Sequence, residues 1–214
     1  MISDQELSVD GALQELDHFF MGEGPVHKTL RELARRLEEQ GIDYAVIGAM
    51  ALFLHGYRRE TVDVDLLLTR EGLERFKETL IGLGYVAAFA GANKHFRDTR
   101  TGVSVDIITT GEYPGDGKPK SVAFPDPRSV SESKGGIRTI RLASLIELKL
   151  ASGISAKARL KDLADVQEAI KELKLPRSLG DSLDAYVRDT YYSLWDGVEA
   201  DRLNKARPDY DQES

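Results

Sequence analysis

YAVIGAMALFLHGYRRETVDVDLLLT, residues 44–69, combines an apolar run, a glycine, a short helix-forming segment and a second apolar run. The first run, Tyr44–Ile47, stops at Gly48. Residues 49–55 are long enough for two helical turns, and an apolar, β-branched run follows at residues 62–68. This order predicts a strand, a turn, a short helix and a second strand.

Two aspartates, Asp63 and Asp65, interrupt the second predicted strand. Residues two apart in a strand point to the same face, so we expect both carboxylates to project together. Two adjacent negative charges are unfavourable unless a cation lies between them. The pattern therefore predicts either a cation site or an edge strand whose polar side chains face the solvent.

The elements around this stretch are typical of an α/β (α+β) fold with a mixed sheet flanked by helices. An amphipathic helix is predicted at residues 27–40 and ends at Gly41, where a glycine cap is favoured. A second helix follows Thr69, with one apolar face formed by Leu73, Phe76, Leu80 and Leu83. Further strands are predicted at residues 85–89, 95–98, 103–109 and 137–142, with a turn at 99–102.

Residues 110–136 are rich in Gly, Pro, Ser and Lys and predict a long loop with a short strand near residues 121–124. After residue 142 the pattern becomes helical, with helices predicted at residues 143–153, 160–173 and 178–204. A further helix is predicted at residues 5–20. The expected domains are an N-terminal helical extension (1–25), an α/β domain (26–142), a C-terminal helical region (143–206) and a flexible tail (207–214).

Composition limits the function classes. The chain has 214 residues, of which 41% are hydrophobic and 30% are charged, as in ordinary globular proteins. It contains no cysteine, which excludes disulfides, thiolate metal sites and a cysteine nucleophile. The formal net charge of −7 argues against broad coating of nucleic acid. No apolar run approaches the roughly 18 residues of a membrane span, and the start does not resemble a signal peptide, so we expect a cytoplasmic protein.

A local basic groove remains compatible with this charge. Six basic residues in the second half of the chain are candidates for a surface that binds an RNA acceptor, although scattered solvated charge is the commoner explanation: Lys134, Arg138, Arg141, Lys157, Arg159 and Lys161.

A third aspartate, Asp106, lies inside the apolar run VSVDIIT and shares the environment of Asp63 and Asp65. Three carboxylates without cysteine form an oxygen ligand set that favours Mg²⁺ or Mn²⁺. Two such ions can activate a hydroxyl and stabilise a leaving pyrophosphate. A glycine turn such as Gly48 lets the backbone approach a ligand, and the amides that begin a helix bind anions. Together these features describe a site for a nucleoside triphosphate.

The same residues resemble the signature of the nucleotidyltransferase superfamily, which has the DNA polymerase β-like fold. The signature is Ile47-Gly48-Ala49, then thirteen residues, then Asp63-Val64-Asp65. Asp106 falls where this superfamily places its third carboxylate. Ala49 departs from the usual Gly or Ser, so no hydroxyl is available at that position, while the backbone amide is kept.

Other segments look like the small bacterial members, including the AbiEii type of toxin. These segments are His55-Gly56, Arg59-Glu60-Thr61, Leu145 with Lys149, and Lys161-Asp162-Leu163-Ala164-Asp165. The resemblance spans residues 28–172. It implies an enzyme that transfers nucleotides and, for the toxin type, an antitoxin partner.

The resemblance also implies roles for individual residues. Asp63 and Asp65 would bind the metal ions, and Asp106 would complete the second ion site and help to deprotonate the acceptor hydroxyl. The amides of Gly48 and Ala49 would hold the triphosphate.

Four more residues are assigned to the site by the same resemblance: Arg59, Thr61 and Asp162 for nucleotide binding, and Lys149 as a catalytic phosphate or base partner. Each has a simpler interpretation. Arg59, Lys149 and Asp162 are typical of solvated surface charges, and Thr61 of a hydroxyl that supports the strand entrance. His55 is expected to pack or fix a loop because Mg²⁺ prefers oxygen ligands, and Trp195 with its neighbouring tyrosines is expected to form core or interface.

The leading hypothesis is a metal-dependent enzyme that moves a nucleoside monophosphate from an NTP to a hydroxyl acceptor and releases pyrophosphate. RNA or tRNA, a protein and a small molecule such as an antibiotic are all compatible acceptors. The rival hypothesis is a non-catalytic nucleotide- or partner-binding regulatory module with the same fold.

Overall fold

The computed structural model describes residues 22–205. These residues divide into two compact units. The sheet unit contains residues up to Thr110 together with Pro125–Ile140, and the helical unit contains Gly111–Phe124 and the residues from Arg141 onward. The helix predicted at residues 5–20 and the tail predicted at 207–214 lie outside the described residues.

The sheet unit alternates strands and helices. Its elements, in chain order, are α1 (Pro25–Glu39), β1 (Tyr44–Ile47), α2 (Gly48–Leu54), β2 (Asp63–Leu68), α3 (Arg70–Leu80), β3 (Tyr85–Ala87), β4 (His95–Asp98), β5 (Ser104–Thr109), α4 (Pro127–Val130), β6 (Ser131–Lys134) and β7 (Ile137–Ile140).

All seven strands belong to one mixed sheet with the order β3-β4-β5-β2-β1-β7-β6. The central strand β2 is parallel to β5 and antiparallel to β1, and β1 is parallel to β7. The outer pairs β3–β4, β4–β5 and β6–β7 are antiparallel. The predicted mixed sheet with flanking helices is therefore confirmed.

Helix α1 shows how the sequence sets these boundaries. Its buried residues Leu30, Leu33 and Leu37 lie at helical spacing, and a fully buried Leu contributes about 1.5–3 kcal/mol. Gly41, with a φ of +59°, ends the helix as predicted. Its amide donates to the Glu38 carbonyl, and the next amide donates to the Leu37 carbonyl, which is the Schellman arrangement.

In its described part, the helical unit contains three helices, α5 (Leu142–Ser155), α6 (Leu160–Glu172) and α7 (Ala185–Lys205). Two 3₁₀ turns, Lys157–Arg159 and Arg177–Ser182, lie between them. Within residues 22–205, no helix has both the length and the apolarity needed to cross a membrane.

The predicted strand at residues 121–124 is wrong. The Gly111 amide donates to the Phe124 carbonyl, and the Phe124 amide donates to the Glu112 carbonyl. These two hydrogen bonds do not form a β-ladder. The Ser121 hydroxyl donates to Asp184 at 2.8 Å, so side-chain contacts within the helical unit hold the segment. The region predicted as one long loop instead contains α4 and β6, and β6 pairs with β7 across a Gly135-Gly136 turn.

The predicted ends of two helices are also wrong. Helix α5 does not end at Gly153 but continues to Ser155. A Cβ at position 153 would lie 2.5 Å from the Leu163 side chain, so the glycine allows α6 to pack closely against α5. The last helix begins at Ala185 rather than residue 178. Asp184 accepts a hydrogen bond from the Tyr186 amide at 2.8 Å, as a helix-capping side chain does.

Leu83 was predicted to share the apolar face of α3 but is 65% exposed. The helix ends at Leu80, and the positive φ angles of Gly82 and Gly84 turn the chain away. The other three residues of that predicted face are buried.

Candidate metal centre

Three carboxylates meet on one face of the sheet. Asp63 and Asp65 lie on β2 and Asp106 on β5, and each offers an oxygen within 4.8 Å of the other two. The parallel register pairs Asp65 with Asp106. Val64 and Val105 alternate with the aspartates and are fully buried, so the opposite face of both strands belongs to the core.

The interpretation of Asp63 and Asp65 as solvent-facing residues of an edge strand is wrong. Strand β2 is hydrogen-bonded to β1 on one side and to β5 on the other. The three side chains are half-buried, and three negative charges at this separation repel one another. The cluster fits a divalent cation of the Mg²⁺ or Mn²⁺ type, because such ions prefer carboxylate oxygens.

Gly48 lies directly beneath one of these carboxylates. Its φ is +66°, and a Cβ built there would lie 1.9 Å from Asp65 Oδ2. The register of β1 and β2 brings Ile47 opposite Asp65, so the first residue of α2 must leave room for the carboxylate. A glycine was predicted here for the close approach of a ligand. The structure adds a second reason, because a side chain at position 48 would overlap the Asp65 carboxylate.

Two neighbouring side chains hold the outer aspartates. The Thr61 hydroxyl donates a hydrogen bond to Asp63 Oδ1, which matches its predicted support of the strand entrance. His95 Nδ1 lies 2.8 Å from Asp106 Oδ1. These contacts fix the direction of two of the three carboxylates.

His95 was missed as a site residue, although the sequence contained a signal for it. The turn predicted at residues 99–102 pairs the flanking residues symmetrically in a hairpin. Such a hairpin places His95 opposite Asp106, and the structure has this pairing.

The other predicted residues of the sheet unit lie on α2 or in the segment that follows it. Ala49 is the second residue of α2 and is buried. Arg59 lies between α2 and β2 and is half-buried. His55 Nε2 lies 2.7 Å from the Ile140 carbonyl, so the ring joins the end of α2 to β7, in agreement with the predicted fixing role.

Lys149, Asp162 and Asp165 form a separate cluster inside the helical unit. Lys149 Nζ donates to Asp162 Oδ1 at 2.9 Å and to Asp165 Oδ2 at 2.8 Å. The Ser152 hydroxyl donates to Asp162 Oδ2 at 2.6 Å. The side chains of Lys149 and Asp162 are 9% and 16% exposed, so the interpretation of these two residues as solvated surface charges is wrong.

Electrostatics within this cluster favour the ionised aspartate. Burial works to raise the pKa of Asp162, but the Lys149 charge and the hydrogen bonds from Ser152 and Lys149 outweigh it and hold that pKa below its ordinary value. The catalytic role predicted for Lys149 and the nucleotide-binding role predicted for Asp162 stay predictions.

Two of the six candidate groove residues form ion pairs within the sheet unit. Arg138 binds Asp43 and Glu38, and Lys134 lies 3.3 Å from Glu132. Such pairs are typical of solvated surface charge.

Comparison with solved structures finds similarity at low sequence identity. One match is an antigenic nucleotidyltransferase-like protein from Paracoccidioides brasiliensis, with 16% identity, a TM-score of 0.44, and coverage of 94% of this chain and 90% of that one. Another is JHP933 from Helicobacter pylori, with 17% identity, a TM-score of 0.46, and coverage of 94% and 96%. A third is the antibiotic-resistance factor ANT(2″)-Ia, with 13% identity, a TM-score of 0.40, and coverage of 92% and 98%.

No protein-family model matches the sequence, and no curated protein matches it at the significance threshold. At these identities and TM-scores the structural matches assign no activity, substrate or partner to this chain.

Proposed function

We propose that this protein is a metal-dependent nucleotidyltransferase, which moves a nucleoside monophosphate from an NTP to a hydroxyl acceptor. The observation that supports it most is the meeting of Asp63, Asp65 and Asp106 within 4.8 Å on one sheet face, beside the Gly48 turn. Three half-buried carboxylates at this separation repel one another, and a bound divalent ion would remove this repulsion.

Asp63 and Asp65 would hold Mg²⁺ or Mn²⁺, and Asp106 would complete the ligand set. A bound ion supplies Lewis-acid stabilisation of the charge that develops on the phosphate oxygens. Asp106 would also accept the proton of the acceptor hydroxyl. The acceptor oxygen then bonds to the α-phosphorus while the bond to the bridging oxygen breaks, and pyrophosphate leaves with the electron pair.

The chain's own residues would orient the nucleotide. The amides of Gly48 and Ala49 would face the triphosphate, and Arg59 would neutralise part of its charge. Thr61 would act indirectly, since its hydroxyl fixes the direction of Asp63. Lys149 and Asp162 already bind each other within the helical unit. Their predicted contacts with phosphate and nucleotide are kept as a proposal.

The test is transfer of label from an α-labelled NTP to acceptor in the presence of Mg²⁺ or Mn²⁺. RNA, tRNA, protein and small-molecule hydroxyl compounds are offered as acceptors. We expect labelled product with the native chain and none with Asp63→Ala. Glu74→Gln is the matched control, because Glu74 is an exposed carboxylate on α3. Equal labelling by Asp63→Ala would refute the assignment.

The non-catalytic alternative makes a different prediction for the same protein. A binding module would bind NTP equally well with and without metal and would release no pyrophosphate. Calorimetry with NTP before and after addition of Mg²⁺ separates the two, because only the proposed enzyme requires binding that depends on metal and on Asp63 and Asp65.

A toxin role is an extension of this proposal and rests on the AbiEii-type resemblance of the sequence. Under it, expression of the native chain would arrest growth, Asp63→Ala would not, and a cognate antitoxin would restore growth. Growth that is unaffected by an active enzyme would refute the toxin role and leave nucleotidyl transfer intact.

A further inference from the structure

Three side chains extend the carboxylate face toward one edge of the sheet. They are Phe89, His95 and Arg97, which we call the outer strip. Strand β4 pairs His95 with Asp106 and Arg97 with Ser104. Cross-strand partners point to the same face, so His95 and Arg97 lie on the face that displays the aspartates.

Phe89 and His95 form an exposed pair of rings. Their centroids lie 5.9 Å apart with an interplanar angle of 27°, a stacked arrangement. Phe89 is 60% exposed, and the His95 side chain is 54% exposed. Because His95 Nδ1 also contacts Asp106 at 2.8 Å, this ring surface adjoins the metal centre directly.

Arg97 supplies an uncommitted positive charge on the same face. Its guanidinium is exposed and forms no ion pair or side-chain hydrogen bond with any residue in the range 22–205. Arg100, on the adjoining turn, is instead bound to buried Asp98 at 2.9 Å. Of these two arginines, only Arg97 is available to a ligand.

The sheet order gives the outer strip a direction. Strand β1 and the Gly48 turn lie on one side of β2 and β5, and β4 lies on the other. In the proposed function the turn faces the triphosphate, which leaves the β4 side of Asp106 for the acceptor hydroxyl.

We propose that the outer strip binds the end of a single-stranded RNA and that the terminal hydroxyl of this RNA is the acceptor. The proposal rests on the nucleotidyl transfer proposed above. The rings of Phe89 and His95 would stack on a terminal base, as aromatic side chains do in single-strand binding proteins. Arg97 would bind a backbone phosphate. An aminoglycoside has no planar base to stack on the two rings, and a protein acceptor does not offer a base and a phosphate together.

The reaction at this end balances without a further reactant. The terminal ribose oxygen bonds to the α-phosphorus, its proton passes to Asp106, and pyrophosphate leaves. The product is RNA extended by one nucleotide.

The experiment measures binding of a 5′-fluorescent RNA oligonucleotide with a free 3′ hydroxyl, by anisotropy, without NTP or metal. Phe89→Ala should weaken binding by roughly tenfold or more, since stacking on one base has an effect of this size, and Phe89→Tyr should restore it. Arg97→Gln should make the negative slope of log K against log salt shallower by about 0.7, the value for one phosphate contact on a single strand. Arg97→Lys should keep the slope.

Lys28→Gln is the matched charge control. Lys28 is exposed on α1, and the neighbouring Thr29 hydroxyl donates to the buried Asp98 side chain, so α1 packs on the opposite face of β4. The RNA affinity and the salt slope of Lys28→Gln should equal those of the native chain. Absence of RNA binding by the native chain, or unchanged binding in both Phe89→Ala and Arg97→Gln, would overturn the inference.

A transfer assay with the same RNA separates this inference from the proposed function. Asp63→Ala should still bind the RNA and transfer nothing to it. Labelling of an aminoglycoside or a protein, with the RNA left unlabelled, would overturn the RNA acceptor and leave nucleotidyl transfer standing. RNA bound at the outer strip without transfer to any acceptor by the native chain would instead overturn the proposed function.

Discussion

The two acidic clusters of this chain differ in how their charge is balanced. In the helical unit, Asp162 and Asp165 share the buried ammonium of Lys149 at 2.9 and 2.8 Å. In the sheet unit, three half-buried carboxylates lie within 4.8 Å of one another. In the first cluster, Lys149 balances one of the two negative charges and donates a hydrogen bond to each carboxylate, so the cluster stabilises the fold. In the second, three carboxylates at this separation repel one another, and a divalent cation bound between them would relieve that repulsion.

Substitution should therefore have opposite effects in the two clusters. Removal of one aspartate from the sheet cluster relieves repulsion, whereas removal of the lysine from the helical cluster leaves two carboxylates close together. Stability and activity, measured together, show which cluster belongs to the fold and which to the chemistry.

The largest effect is expected for Asp63→Asn on nucleotidyl transfer. The change removes a negatively charged metal ligand, and we expect a loss on the order of a thousandfold, about 4 kcal/mol in the activation barrier. Without metal, the free energy of unfolding should stay equal or rise slightly. Kinetic assays and urea titrations measure the two quantities.

Metal addition provides a second comparison for Asp63→Asn. Mg²⁺ or Mn²⁺ should raise the melting temperature of the native chain, since an ion bound only to the folded state stabilises it. The variant should show a much smaller rise, and Glu74→Gln should behave as the native chain does. An equal rise in all three proteins would show that the ion binds elsewhere.

Lys149→Met should lower the free energy of unfolding by about 3–5 kcal/mol, because loss of one partner leaves uncompensated buried charge. Lys171→Met is the control. Lys171 pairs with Glu168 on an exposed surface, where solvent screens the ion pair and its contribution to stability is small. Equilibrium unfolding measures both, and a change within 0.5 kcal/mol for Lys149→Met would contradict the structural role.

The same variant tests the catalytic role predicted for Lys149. Activity is compared under conditions in which both proteins are fully folded. A large loss of turnover with an unchanged fold would assign Lys149 to the chemistry, and retained turnover would restrict it to the fold.

The sequence was informative where burial imposes periodicity. The run Tyr44–Ile47 is buried at every position, and the alternation in β2 placed two aspartates on one face, so both strands and the carboxylate pair could be predicted. Local spacing determines each of these features. Asp106 was assigned from its place inside an apolar run and from the family resemblance, and the pairing of β5 with β2 brings it beside Asp65.

The sequence was uninformative where contacts between distant segments decide. Strand β6 has the polar sequence SESK, and only its pairing with β7 across Gly135-Gly136 makes it a strand. Gly153 was interpreted as a helix end, but the packing of Leu163 keeps it inside α5. The contact of Lys149 with Asp165 likewise depends on the packing of two helices, which one sequence does not specify.

Gly48→Ala tests whether the sheet cluster depends on the turn beneath it. A Cβ at this position combines a positive φ with an overlap at 1.9 Å on Asp65 Oδ2. Gly82→Ala is the matched control, since Gly82 has a φ of +80° with no atom within 4 Å of the added Cβ. The backbone strain in each is about 1–3 kcal/mol.

We expect Gly48→Ala to lower stability more than Gly82→Ala and to reduce metal affinity as well, because Asp65 must move. Gly82→Ala should change stability alone. Urea titration and metal-dependent melting measure the two effects. Equal losses of stability with unchanged metal affinity would mean that Asp65 does not need the space above Gly48.

The smallest effect, and the one that resolves the helical cluster further, is the pH dependence of Asp162→Asn. Burial alone would raise the pKa of Asp162, but the charge and hydrogen bonds around it lower that pKa below 3.8, the ordinary value of an aspartate. A carboxyl whose pKa is depressed by folding adds stability that is fully present above its unfolded pKa and is lost as the pH falls through its folded pKa.

At pH 7, Asp162→Asn should therefore unfold about 1–2 kcal/mol more easily than the native chain, the scale of hydrogen bonds to a charged group. This difference should shrink below about pH 4 as the native Asp162 becomes protonated. Urea titrations between pH 2 and 7 measure the difference directly, and a difference that grew on acidification would mean that Asp162 is ionised more easily in the unfolded chain than beside Lys149.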